Sequence, residues 1–215
     1  MSIEADFYNT YAKYKSLDIE KSADYLRNRF YKIIWQTAMS YGSMLKFETA
    51  KTLLETNLTV ESARLLDYEI VSDFYNAYTF AKKIAISNKV LTYNDVDSMF
   101  HIAMFRSCGQ AKCLRPDKLS DFCEQMNVKS QNADSMQLFD KYLLSFEAFF
   151  MTKKLSLWNF ANTEMSYLMT HFFQFRFGLT PTLFLRVPQD KDDILSLHIE
   201  GLNAEISAFL SSQNL

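Results

Sequence analysis

Glycine and proline are scarce, at 4 and 3 among 215 residues. An all-β sandwich draws on both for its many tight turns, so that class is disfavoured. Cysteine is scarce too. Cys108, Cys113 and Cys123 form an odd set with neither CxxC nor zinc-ligand spacing. They read as structural thiols in a reducing compartment, not as a disulfide scaffold or a metal site. No apolar run nears the ~18 residues of a membrane span. Glu4 and Asp6 stand where a signal peptide would be basic and then apolar. The expectation is a cytoplasmic protein with no membrane contact. An excess of one charge is also missing: 23 basic and 25 acidic residues leave −2, with a pI near 5.9. That gives no general attraction to nucleic acid.

What the chain does have is 19 Phe, 12 Tyr and 10 Met, with 48% hydrophobic residues overall. This is enough apolar material for one helical domain over residues 1–215. Apolar steps of three and four predict helices over residues 18–38 (capped by Asp18 or Ser16), 46–56, 59–87, 93–105, 118–126, 135–153, 157–169 and 190–210. Thr92 and Asp95 have capping-box spacing. Thr180-Pro181 reads as a helix start, predicting a short helix over 181–187. Residues 106–117, 129–134 and 170–179 read as irregular, the first of these as a hairpin region.

The chain has no nucleotide-binding glycine loop, no metalloprotease or esterase motif and no zinc-finger spacing. His101, His171 and His198 are far apart in sequence. His171 differs through its neighbours, His171-Phe172-Phe173-Gln174-Phe175-Arg176-Phe177-Gly178-Leu179, which lead into Thr180-Pro181. A loop just before a helix N-terminus is an anion site, because free amides and the helix dipole converge there. His171 at its lip would serve as general base, and Arg176 would pair with a phosphate. The plainer alternative is a hydrophobic loop docked on the core, with Arg176 at the surface.

The segment resembles the motif of the Fic (filamentation induced by cAMP) family in a degenerate form. That motif is His-Pro-Phe-x-Asp/Glu-Gly-Asn-Gly-Arg-x-x-Arg, set between two central helices. In this register the chain keeps His171, Phe173 and Gly178, while Phe172 stands at the proline, Phe175 at the acid, Arg176 at the first glycine, Phe177 at the asparagine, and Leu179 and Thr182 at the arginines. Upstream, Thr37-Ala38-Met39-Ser40-Tyr41-Gly42 is similar to the family's inhibitory element Ser/Thr-x-x-x-Glu-Gly, with Tyr41 at the glutamate. Residues 109–115 fall where the family has a substrate flap.

The resemblance implies an all-α Fic-like bundle with a small β-hairpin flap, a Fic-like core over 20–187 and a C-terminal helical extension over 188–215. It implies His171 as catalytic base and Arg176, Gly178 and Thr180 as cofactor-binding residues, with no metal ligand, since Phe175 replaces the acid. Bulky Arg176 and Phe177 would fill the phosphate bed. One reading is thus a catalytically impaired protein, without cofactor, that acts as a protein-interaction or regulatory module. Its partner would be another protein, and a homodimer fits as well. The alternative is an active transferase that moves a nucleotide-derived group such as AMP onto a protein hydroxyl, with ATP and Mg as cofactors.

Overall fold

The computed structural model describes residues 2–59, 63–106 and 110–213. Its helices are α1 (Ile3–Ser16), α2 (Ala23–Tyr41), α3 (Phe47–Thr56), α4 (Leu65–Ile86), α5 (Tyr93–Ala103), α6 (Pro116–Ser130), α7 (Leu138–Leu155), α8 (Asn162–Arg176) and α9 (Lys191–Gln213). Among the described residues none is long and apolar enough to cross a membrane.

α8 is the axis of the bundle. Every residue from Glu164 to Gln174 on it is buried, as expected of a helix enclosed on all sides. α7 packs along its length, α4 and α2 cover other faces, and α9 closes over α1 and α7. Phe172 and Phe173 lie fully inside the larger core, with Phe175 and Phe177 half-buried at its edge.

Local sequence chemistry sets the ends. Thr92 Oγ1 accepts from the Asp95 amide, and the Asp95 carboxylate accepts from the Thr92 amide at 2.9 Å, so the capping box forms as its spacing foretold. α2 starts later than expected. Ser22 caps it, after Asp18 turns left-handed (φ 54°) into a 3-10 turn over Ile19–Lys21. α1 was not foreseen, because only Phe7 and Tyr14 of its stripe are buried. The expected start of the 59–87 helix falls partly on residues 60–62, outside the described residues.

Two expectations are corrected, and a third finds no support. Residues 170–176 are helix, the last part of α8. Residues 181–187 are not helical, because side chains capture the backbone polar groups that a helix would use (below) and Pro188 leaves too few residues for a stable turn. No strand is found to support a hairpin flap: among the described residues there is only an antiparallel bridge between Cys113 and Trp158. That bridge carries Leu114 N–H to Leu157 C=O at 2.7 Å and Asn159 N–H to Lys112 C=O at 3.2 Å.

Substituting Thr92→Ala removes one half of the capping box and is expected to cost about 1 kcal/mol. Urea unfolding should show a lower midpoint at unchanged slope; an unchanged midpoint would contradict this role.

Candidate functional site

The four residues singled out from sequence do not meet in one cavity. His171 is 1% exposed inside α8. Arg176 ends α8 and lines a polar cavity with Lys89 and Lys141. Gly178 and Thr180 line a different groove, beside Phe30 and Lys82.

His171 is engaged through both ring nitrogens. Its Nε2 lies 2.7 Å from the Thr182 carbonyl oxygen, which can only accept, so Nε2 carries the proton. Nδ1 therefore accepts from the Tyr78 hydroxyl at 2.8 Å. The Tyr78 hydroxyl also lies 2.8 Å from Thr37 Oγ1. Burial drives the His171 pKa down to about 4; the Thr182 contact opposes the shift and the Arg29 charge adds to it. The ring is neutral at pH 7, yet it has no free lone pair to take a substrate proton.

The segment after α8 is a non-helical strap held by side chains. Tyr142 of α7 donates to the Thr180 carbonyl at 2.9 Å. Arg29 of α2 grips the Pro181 carbonyl with Nε at 2.9 Å and Nη2 at 2.6 Å. His171 takes the Thr182 carbonyl. Gln174 accepts the Thr182 amide at 2.8 Å and donates to Thr182 Oγ1 at 2.8 Å. Thr182 Oγ1 also meets His198 Nδ1 at 3.0 Å. Arg29, itself buried, pairs with Glu205 of α9. An anion cradle of free amides needs the opposite arrangement.

Sequence reasoning missed Arg29, Tyr142, Gln174 and His198. A signal was present for Arg29: it sits between Leu26 and Ile33 on the apolar stripe of α2, where a charge must be buried with a partner.

The central helix pair is α7 and α8, and residues 156–161 connect them. Ser156 (φ 44°) and Ala161 (φ 56°) turn left-handed to make this connection. Trp158 is buried and stacks on Phe100 at 5.2 Å. Asn162 binds the Trp158 backbone through both amide atoms, at 3.1 Å and 2.9 Å. Glu164, in the first turn of α8, accepts from Ser40 of α2 at 2.7 Å. The Cys113 bridge lands on the same connection. The C-terminal end of α2, the bridge and the start of α8 therefore gather at one end of the bundle.

The backbone superimposes on three solved proteins of one kind. Fic-1 of C. elegans matches with a TM-score of 0.76 at 12% identity, over 97% of this chain and 71% of that one. A Fic-domain signalling protein from Bacteroides thetaiotaomicron matches at 0.68 and 14%, over 94% of this chain and 91% of that one. A Fic family protein from Desulfovibrio desulfuricans matches at 0.67 and 9%, over 99% and 74%. The fold is Fic-like. Such identities carry the architecture alone. No protein-family model matches the sequence, and no curated protein does. Among the described residues of this Fic-like bundle, no three metal-ligating side chains cluster.

The two buried histidines set a pH dependence. Burial also lowers His198, to about 3. Both folded-state values lie below the ordinary 6.5, so between about pH 6.5 and 4 the unfolded chain binds more protons. Stability is full above that window and falls with acid, by roughly 2 kcal/mol per histidine from pH 7.5 to 5. Replacement His171→Gln keeps a donor for Thr182 and an acceptor for Tyr78, and should remove about half of this slope. Denaturant titrations across pH test it; equal stability at both pH values in the unmodified chain would refute it.

Proposed function

We propose that this chain is a catalytically silent Fic-fold protein that works by binding another protein. The observation that carries the reading is the content of the connection between the central helices, where the family motif has its place. The register that begins at His171 is replaced, because His171 lies inside α8 and not between two helices; set on the connection instead, Ser156 stands at the histidine, Phe160 at the metal-binding acid, Ala161 and Thr163 at the glycines, and Glu164 and Tyr167 at the arginines. Only Asn162 is kept. No base, metal ligand or phosphate-binding cation remains.

Glu164 deepens the change. Its carboxylate puts negative charge in the first turn of α8, the end whose dipole would otherwise favour a phosphate. Phosphoryl-type transfer rests largely on positive charge around the transferring group, and here that charge is reversed. His171 does not compensate, because both of its ring nitrogens are engaged, by Tyr78 and by the strap.

A fold without its family's chemistry can still serve as a binding scaffold. The described surface includes large exposed apolar side chains, among them Met44, Leu65 and Phe105. Met44 and Leu65 flank Asp67, which accepts from the Met44 amide. Such side chains suit a protein partner.

The test is titration with a fluorescent ATP analogue with and without Mg2+, alongside transfer of labelled AMP to protein. Neither Mg2+-dependent binding nor transfer is expected. Mg2+-dependent, saturable binding together with label transfer would overturn the reading.

A further inference from the structure

At the other end of α8, about 22 Å from its start at 1.5 Å per residue, lies a polar cavity of about 320 Å³. The loop after α4 gives it Asn88 and Lys89, the end of α6 gives Gln131, the next turn gives Asp134, α7 gives Lys141 and α8 gives Arg176. Three cations thus face one carboxylate.

Arg176 is fixed in place. Its guanidinium lies over the Phe172 ring, 4.7 Å from the centroid, and Nη2 donates to the Lys89 carbonyl at 2.5 Å. Stacking and this bond hold the plane still before any ligand arrives. Its Nε is buried and has no partner among the described residues.

The C-terminal ends of α4, α6 and α8 meet at this cavity, and their carbonyl dipoles favour positive charge. Arg176 already answers that need through the Lys89 carbonyl. The two ammonium groups go beyond it: among the described residues, neither Lys89 nor Lys141 has an ion pair or side-chain hydrogen bond. Unpaired like charges around one concavity repel each other and attract a counter-ion.

We propose that this cavity binds a small polyvalent oxyanion, through Lys89 and Lys141 with Arg176 as the rigid wall. Di- and triphosphate groups and polycarboxylates share the required chemistry. The site is independent of the connection at 156–161, and its binding needs no metal.

Inorganic pyrophosphate and citrate serve as probes, titrated separately in EDTA at constant ionic strength and followed by thermal midpoint and amide NMR shifts. Saturable binding with Kd below about 1 mM is expected, with shifts centred on residues 88–89, 131–134 and 176–177. Pyrophosphate alone would assign a phosphate ligand, citrate alone a carboxylate ligand, and both a general oxyanion site. The double substitution Lys89→Gln/Lys141→Gln, on side chains without partners, should weaken binding at least about 10-fold; Lys51→Gln/Lys191→Gln should not. Failure of both probes to saturate, or equal binding by the Lys89/Lys141 variant, would overturn the proposal. Mg2+-dependent ATP binding that survives the Lys89/Lys141 substitutions would count against the silent-enzyme reading and leave this site untouched.

Discussion

Three consecutive carbonyls, of Thr180, Pro181 and Thr182, cross the interior of the bundle, and each accepts from a side chain of a different helix. Tyr142, Arg29 and His171 are the donors. A buried backbone group without a partner costs about 1–3 kcal/mol, so the strap is tolerated only because these three side chains are present. The clasp also tightens the bundle. Arg29 needs Glu205 as its counter-charge, which draws α9 onto α2; removing either partner would leave a buried charge alone. Packing of α9 thus combines this polar clasp with apolar anchors such as Ile194, Leu202 and Ile206.

His171 takes its meaning from this arrangement. Read along the sequence it is a histidine before an anion-binding loop. In three dimensions it is a neutral donor buried in α8, and its neighbours fix its tautomer. On this Fic-like backbone the two ends of α8 differ in charge: at the start Glu164 accepts from Ser40, and at the end Lys89, Lys141 and Arg176 line a cavity.

Much of the architecture was legible in the residues. Steps of three and four located α2 through α7 and α9, and the Thr92–Asp95 pair fixed one helix start. The helical bundle followed from the same patterns, whereas the likeness to the Fic fold came from the motif resemblance. The candidate site was not legible, for a physical reason. Thr180-Pro181 carries a genuine start signal, but such signals weigh only local energies, and the strap is decided by Arg29 and His198, 152 residues away in one case and 16 from Thr182 in the other. The apolar run through Phe172, Phe173 and Phe175 looked irregular because it lacks a polar face. A helix buried on every side has none to show. The Cys113–Trp158 bridge, being a single ladder step between distant residues, left no periodic trace.

The central claim is that the strap belongs to the rigid core and is no loop. Hydrogen exchange at the Thr182 amide, which donates to Gln174, tests it most directly. The account predicts exchange only through global unfolding, at the rate of the slowest amides in the middle of α8. Exchange at the rate of an exposed loop would show that the clasp opens in the native state, and would return His171 to the list of available bases.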